Sequence, residues 1–327
     1  MNQRSPFGVL EFLQWSHSWN NNKYSDKTDL SKAVALMKEA GVGWVRMDFL
    51  WEDIEPEQGR FEFDKYDYIV ELLSENNINI LGILDYSATW ASACSKWNCP
   101  PQDNRLFVDY ATKVVRRYKD RVKHWEIWNE PDSHIYWSAQ DGLKSYCVLL
   151  KEVYTALKEV DPGCKVLNGG LAGGISSVNH LYDNGAKDYF DILNIHYFAT
   201  PLNPHAIEGV SAFPKLAYKI MQRNADGDKK IWITEIGCPG IKKSAGVDNW
   251  WMGNNPTESQ QAEWVIKVYT ELIKNNKVER IFWAFFRDCK KHWDNGIDYF
   301  GLVRWDFSKK PAFFAYQKCF NAWKKSK

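Results

Sequence analysis

The sequence predicts an α/β fold, a single (β/α)8 TIM barrel with long βα loops, and two observations support this. Short apolar segments alternate with longer amphipathic segments along all 327 residues, a pattern typical of a parallel sheet built from βα units. Eight such units can be counted, and no linker rich in Pro, Gly or Ser divides the chain. We therefore expect one domain over residues 1–327, longer than the typical barrel of about 250 residues.

The predicted strands are short and rich in large apolar residues. They span residues 7–10, 44–47, 78–84, 124–128, 165–168, 190–196, 230–234 and 280–285. The segments between them carry apolar residues three and four positions apart, which predicts helices. These helices span residues 29–40, 63–76, 104–119, 143–160, 176–185, 214–224, 257–275 and 311–323.

The surplus length lies mainly after strands, in residues 87–103, 132–142, 239–256 and 287–300. In a barrel these are βα loops, which build the active-site face. The alternative is an open doubly wound sheet, which favours a Gly-rich phosphate loop after an early strand. The Gly-rich run at residues 168–174 lacks the G-x-G-x-x-G spacing and the later acidic residue of a dinucleotide site. The sequence therefore favours the barrel.

Composition excludes several classes of partner. The chain has 42 Lys and Arg against 41 Asp and Glu, so we expect no nucleic-acid partner. It contains no run of about 18 apolar residues, so we expect no membrane span. Residues 1–6 are polar and leave no room for a signal peptide before the first strand. We expect a cytoplasmic protein or a trimmed secreted or periplasmic form.

Aromatic residues are unusually frequent, with 17 Trp, 16 Tyr and 17 Phe. Sugar rings present flat C–H faces that stack on such side chains, so this composition favours a carbohydrate ligand, with a Trp-rich core as the alternative. The seven Cys form no zinc-binding pattern. One disulfide is plausible, between Cys94 and Cys99, which lie next to Pro100 and Pro101.

Two glutamates follow apolar strands at corresponding places. Glu130 follows the fourth predicted strand and Glu235 the seventh. On a barrel both side chains lie on the same rim and face each other across it. A single Glu is usually a surface carboxylate or a helix cap. A pair of carboxylates, one acting as acid and the other as nucleophile or base, is what cleavage of a glycosidic bond requires.

These residues and their surroundings resemble the large clan of retaining glycoside hydrolases, whose acid/base Glu lies in an N-E-P motif after strand four. The segments G-V-G-W-V-R at 41–46, W-E-D-I-E-P-E-Q-G-R-F at 51–61, G-L-V-R-W-D and K-P-A-F-F-A-Y are similar to family 39. That family contains β-xylosidases, α-L-iduronidases and polysaccharide-cleaving endoglycosidases, and families 5 and 42 share parts of the pattern. The resemblance implies that Glu130 is the acid/base, Glu235 the nucleophile, and Asn129 a ligand of the substrate 2-hydroxyl.

The same resemblance implies roles for other residues at strand ends. Arg46 is expected to steady the nucleophile, although a buried pair with Glu126 is an equal and compatible alternative. His196 and Tyr197 are expected to orient the nucleophile or contact substrate, the alternative being a His bonded to backbone. Trp283 is expected to form the floor of the sugar subsite, with barrel packing as its alternative.

Position alone suggests further contacts with substrate. Asp48 and Asp85 sit at strand ends, where their carboxylates could bond sugar hydroxyls. Four tryptophans of the long loops are candidate stacking platforms, with local packing as the alternative for each: Trp90, Trp137, Trp250 and Trp251. Their placement on one rim favours an elongated carbohydrate over a compact metabolite.

The mechanism implied is a two-step displacement that needs no cofactor and no metal. A metallohydrolase needs several His and Asp ligands at strand ends, and His196 is the one His predicted on the active rim. A carbohydrate-binding barrel without turnover would have lost one catalytic Glu. The chain ends soon after the eighth predicted helix, so we expect an endo-acting enzyme with an open groove. An exo-acting β-xylosidase-like enzyme and a transglycosylase are the alternatives.

Overall fold

The computed structural model describes residues 5–242, 246 and 248–327, and its strands form a closed parallel barrel in chain order. The eighth strand pairs with the first, which confirms the TIM-barrel fold. The strands are β1 (Phe7–Leu10), β2 (Trp44–Leu50), β3 (Asn79–Asp85), β4 (His124–Ile127), β5 (Lys165–Asn168), β6 (Ile192–His196), β7 (Lys230–Ile236) and β8 (Val278–Ala284). Residues 1–4, part of the N-terminal prediction, and 243–245 and 247, in the predicted loop 239–256, lie outside the described residues.

Helices surround the barrel. They are α1 (Lys27–Ala40), α2 (Trp51–Ile54), α3 (Asp64–Glu75), α4 (Asn104–Tyr118), α5 (Leu143–Val160), α6 (Ile175–Asp183), α7 (Ala206–Arg223), α8 (Glu258–Leu272) and α9 (Pro311–Lys325). Local signals explain their ends. The Asp26 side chain accepts hydrogen bonds from the first turn of α1, and Gly41 ends that helix with a left-handed φ of 89°.

The start of α7 differs from the prediction. The helix begins at Ala206, eight residues before the predicted start at Pro214, which lies inside it. A proline is common in the first turn of a helix, where its missing N–H costs nothing. The apolar face of α7, which includes Val210, Phe213 and Ala217, is buried and continues on both sides of the proline. Burial of this face compensates for the lost backbone hydrogen bond.

The interior of the barrel changes from apolar to polar toward the active rim. An apolar layer near the N-terminal ends of the strands consists of Trp44, Leu81, Leu167, Ile192, Trp232 and Phe282. Residues two apart on a strand face the same side. Arg46, Asn194 and Thr234 therefore lie directly above this layer, and all three are buried. Buried polar groups require partners, so this second layer must form a hydrogen-bonded network.

A bulge between β6 and β7 brings two predicted site residues together. Ile195 pairs with Ile233, whereas the next pair is His196 with Glu235, so Thr234 is the extra residue. Bulges re-aim side chains and are common beside active sites. Here the bulge places Glu235 beside His196 on the barrel rim.

The loop between β3 and α4 carries a disulfide between Cys94 and Cys99, which confirms that prediction. The five remaining cysteines are free thiols. Among the helices that the structure describes, none is both long and apolar enough to cross a membrane.

Candidate active site

The two predicted catalytic glutamates meet at the C-terminal rim of the barrel. Glu130 lies three residues beyond β4 with a left-handed φ of 44°, and Glu235 is the penultimate residue of β7. One oxygen of each carboxyl group and one ring nitrogen of His196 all lie within 4.8 Å of one another. Each Glu side chain keeps 14% of its surface exposed. Both carboxyl groups can therefore be reached from solvent at one point.

Glu130 is placed to hold a proton. Burial, together with the charges of Asp132 and Glu126, raises the pKa of Glu130 to about 8, with Arg46 acting in the opposite direction. Its Oε1 atom lies 2.8 Å from the Nδ1 atom of His196. Because no cation contacts this carboxyl group directly among the described residues, the protonated form is favoured at neutral pH.

Glu235 differs from Glu130 in having a direct cationic partner. Arg46 Nη1 donates to Glu235 Oε1 at 2.7 Å. Burial raises the pKa of Glu235, while the charge of Arg46 and its hydrogen bond act against that rise. A carboxyl group that accepts a hydrogen bond from a guanidinium is favoured in its ionised form. The asymmetry between the two glutamates therefore places the proton on Glu130 and the negative charge on Glu235.

Arg46 connects three acceptors beneath the rim. Its Nε and Nη2 atoms donate to the two oxygens of Glu126 at 2.7 and 2.8 Å, a bidentate pair. Nη2 also donates to Asn129 Oδ1 at 2.8 Å. Arg46 thus makes both interactions named from the sequence, the pair with Glu126 and the contact with Glu235.

Replacing Arg46 by Met is expected to lower the free energy of unfolding by about 3–5 kcal/mol, because Glu126 stays buried without its cation. Urea denaturation followed by circular dichroism measures the loss. Arg117 is the matched control, since its side chain and that of its partner Asp67 are 44% and 37% exposed, and Arg117→Met should cost at most about 1 kcal/mol. Equal losses in the two variants would contradict a buried network centred on Arg46.

The amide of Asn129 has a fixed orientation. Its Oδ1 accepts from Arg46, and its Nδ2 donates to the hydroxyl of the buried Tyr86 at 3.0 Å. A side-chain amide has two N–H donors. Among the described residues Nδ2 makes this one hydrogen bond, which leaves a second N–H for the sugar hydroxyl that the resemblance predicts as its partner.

Asp48 and Asp85 are buried beneath the rim rather than exposed on it. Burial raises the pKa of Asp48 to about 7, with Arg46 opposing the rise. Burial and the charge of Asp48 raise the pKa of Asp85 well above its ordinary value. The neutral form of Asp85 is therefore favoured. Neither oxygen of Asp85 has a hydrogen-bond partner among the described residues.

Three predicted substrate-contacting tryptophans are packed inside the protein. Trp283, Trp137 and Trp250 are almost fully buried. Their indole N–H groups donate to the backbone carbonyls of Phe300, Gly142 and Asn254, respectively. These three side chains are therefore packed locally, which was the alternative to a sugar contact in the sequence analysis. Trp283 lies on β8, whereas Trp137 and Trp250 lie in rim loops.

The other predicted contacts are more accessible. Trp251 is 60% exposed. Trp90 is half-buried and donates its indole N–H to the Glu55 carbonyl. Tyr197 is also half-buried and packs against Phe213. Of the four candidate stacking platforms, Trp251 thus presents the most ring surface to solvent.

Two polar residues of the site were not among the predictions. Thr234 and Asn194 lie in the buried layer, where Thr234 Oγ1 contacts both His196 Nε2 and Asn194 Oδ1. A signal was present in the sequence. Asn194 stands two residues before His196 on the same strand, so the two must share a face, and Thr234 directly precedes Glu235.

The same rim could hold a metal ion on geometric grounds. Glu130, His196 and Glu235 offer ligand atoms close enough to share one ion. Arg46, however, already supplies a positive charge to Glu235 at 2.7 Å. A second cation at this point would be repelled by the guanidinium, so the arrangement suits proton chemistry better than metal binding.

A cavity of about 880 Å³ lies at the opposite end of the barrel. It is lined by residues at the N-terminal ends of strands, among them Trp44, His124 and Arg280. In TIM barrels this end contributes to stability, whereas chemistry takes place at the C-terminal end. The cavity is therefore separate from the candidate active site.

The known proteins to which this chain is similar are described as glycosidases. A family model described as "Glycosyl hydrolase catalytic core" matches residues 85–299, and the family 42 model described as "Beta-galactosidase" matches residues 18–89. Endo-1,4-beta-xylanase 2 of Claviceps purpurea is 27% identical over 273 residues, which cover 72% of this chain and 78% of that protein.

Other similar proteins are longer than this chain. The 1,4-beta-D-glucan glucohydrolase of Thermotoga neapolitana is 24% identical over 56% of this chain and 46% of its own length. The structure of a family 39 glycoside hydrolase from the gut symbiont Bacteroides cellulosilyticus WH2 matches 98% of this chain and 64% of that one. Its TM-score is 0.75 at 22% identity, which shows a shared fold.

Proposed function

The chain belongs to the glycosyl hydrolase catalytic core family, and we propose that it cleaves O-glycosidic bonds with retention of configuration. The separation of the two carboxyl groups carries the proposal. Retaining enzymes hold them about 5–5.5 Å apart, whereas inverting enzymes leave about 6.5–9.5 Å for a water molecule. One carboxyl oxygen of Glu130 lies within 4.8 Å of one carboxyl oxygen of Glu235, which supports the shorter spacing.

In the first step of the proposed reaction, Glu235 attacks the anomeric carbon while Glu130 donates its proton to the departing glycosidic oxygen. The bond from the anomeric carbon to that oxygen breaks, and a glycosyl ester of Glu235 forms. The different environments of the two carboxyl groups support these roles, because Glu235 contacts Arg46 and Glu130 does not.

In the second step, Glu130, now ionised, removes a proton from a water molecule, which attacks the anomeric carbon and releases Glu235. Two inversions at one carbon restore the original configuration. The raised pKa of Glu130 suits both steps, because a group with a pKa near the working pH can donate and then recover a proton.

We propose that the substrate is a polysaccharide or long oligosaccharide cleaved internally. Exposed aromatic rings on the rim loops support this, since Trp251 and Trp97 are 60% and 41% exposed and sugar faces stack on such rings. The names of two similar proteins, an endo-1,4-beta-xylanase and a 1,4-beta-D-glucan glucohydrolase, make β-1,4-linked xylan and glucan the first substrates to test.

Incubation with xylan, mixed-linkage glucan, mannan and galactan, followed by mass spectrometry of early products, tests this substrate class. We expect oligosaccharides of several sizes from at least one polymer, because an open groove binds the chain away from its ends. Glu235→Ala protein serves as the blank. Release of monosaccharide alone from the first time point would contradict internal cleavage, while leaving glycoside hydrolysis itself in place.

A further inference from the structure

A chain of buried hydrogen bonds ends on Glu130. We propose that Asn168, Asn194 and Thr234 fix His196 in its neutral form with the proton on Nε2, so that Nδ1 accepts a hydrogen bond from protonated Glu130. Thr234 and Asn194 are then positioning residues for the acid/base. The consequence for catalysis rests on the proposed function, whereas the protonation of His196 can be measured without it.

The series of hydrogen bonds begins with Asn168 and Asn194, which fix each other's side-chain orientation. The Asn194 backbone N–H donates to Asn168 Oδ1 at 2.9 Å, and Asn168 Nδ2 donates to the Asn194 carbonyl at 2.9 Å. Asn194 Nδ2 donates to the Asn168 carbonyl at 3.2 Å. Because the Asn194 NH₂ group points at this carbonyl, its Oδ1 atom must point the other way, toward Thr234.

Thr234 transmits this orientation to His196. Its hydroxyl donates to Asn194 Oδ1 at 2.6 Å, which uses its one hydrogen. The same oxygen lies 2.9 Å from His196 Nε2. Since the hydroxyl has no second hydrogen to give, it accepts here, and Nε2 must carry a proton.

The other ring nitrogen then has a lone pair. His196 is fully buried, and burial together with the Arg46 cation lowers its pKa, while Glu235, Glu126 and Asp132 act to raise it. The ring is therefore neutral with its single proton on Nε2. Nδ1 lies 2.8 Å from Glu130 Oε1. A carboxylate would repel this lone pair, so the contact is a hydrogen bond donated by protonated Glu130.

The Gly-rich run at 168–174 has a role in this arrangement. A Cβ atom at Gly170 would overlap His196 Nε2, so a larger residue there would displace the ring. The Gly170 N–H also donates to Glu126 Oε1 at 2.9 Å. This run, which does not fit a nucleotide site, therefore forms the wall that lets His196 reach both Thr234 and Glu130.

The arrangement serves both halves of the reaction. Before cleavage, the neutral His196 leaves the proton on Glu130, and the O–H turns from Nδ1 to the glycosidic oxygen as that oxygen departs. After the proton has left, the lone pair and the carboxylate repel each other, which makes Glu130 a stronger base toward the attacking water. An imidazole protonated on Nδ1 would do the opposite, because it would stabilise the Glu130 carboxylate and weaken the acid.

Histidine-selective ¹⁵N labelling with two-bond ¹⁵N–¹H correlation spectra at neutral pH tests the protonation of His196 directly. The signal is assigned by its loss in His196→Gln. We expect a neutral ring with hydrogen on Nε2 in the wild type and in Thr234→Ser, which keeps the hydroxyl. In Thr234→Val, of nearly equal size, the second neutral form should become populated.

Kinetics of the same variants give the catalytic readout. Thr234→Val should lose tenfold or more in kcat/KM on unactivated glycosides, a share of the roughly 10²–10⁴-fold that general acid catalysis supplies. On aryl glycosides with good leaving groups the loss should be small. Thr234→Ser should retain most of the wild-type kcat/KM on unactivated glycosides. A wild-type His196 protonated on Nδ1, or an unchanged Thr234→Val spectrum, overturns the proposal. Absence of glycosidase activity in the wild type would instead refute the proposed function.

Discussion

Glu235→Ala protein is expected to lose at least roughly 10⁴-fold in kcat, because no other described carboxylate can replace the attacking oxygen. Arg46 would lose one of its acceptors but keep Glu126 and Asn129, so the fold should survive. The rate with an aryl glycoside measures the loss. Glu208→Ala is the matched control, since that side chain is 72% exposed on α7 and should leave kcat unchanged.

The space left in Glu235→Ala allows a second readout. Azide is small enough to enter it and attack the anomeric carbon directly. One displacement inverts the configuration, so the glycosyl azide formed should have the opposite configuration to the substrate. Proton NMR of the product identifies it. Full activity of Glu235→Ala, or an azide product of retained configuration, would exclude Glu235 as the nucleophile.

Glu130→Gln protein is expected to lose activity according to how much help the leaving group needs. On unactivated glycosides the loss in kcat/KM should reach roughly 10²–10⁴-fold, the usual contribution of a general acid. On aryl glycosides with good leaving groups the first step should be nearly unaffected, because the departing oxygen needs no proton. A loss of the same size on both kinds of substrate would contradict the acid role.

The pH dependence of the wild type follows from the same residue. Glu130 must be protonated to donate, and its pKa is raised to about 8. In the free enzyme kcat/KM should therefore fall as the pH rises through about 8, rather than near the ordinary range of a carboxyl group. In Glu130→Gln this alkaline decline should disappear for activated substrates. A wild-type decline centred near pH 5 would show that the pKa of Glu130 is not raised.

The barrel and the approximate positions of its strands could be predicted from the sequence, because both depend on local patterns. Short apolar runs, helical periodicity and end signals such as Gly41 lie within a few residues of the structure they specify. The placement of Glu130 and Glu235 on one rim then follows from counting strands. Their opposed environments do not, since the contact between Arg46 and Glu235 joins residues 189 positions apart.

What the sequence did not predict depends on packing between distant segments. The bulge at Thr234 arises from the pairing of β6 with β7, and it creates the contact of Thr234 with His196. The orientation of the loop tryptophans also depends on such packing. Sequence places Trp137, Trp250 and Trp251 in loops, but only the fold determines that the first two turn inward and the third outward.

The configuration of the first product released by the wild-type enzyme tests the central claim most directly. Proton NMR at early times, before the free sugar changes anomer, distinguishes the two outcomes. A two-step displacement by Glu235 and Glu130 predicts a first product with the same anomeric configuration as the substrate. An inverted product would show that water attacks directly and would contradict the proposed mechanism.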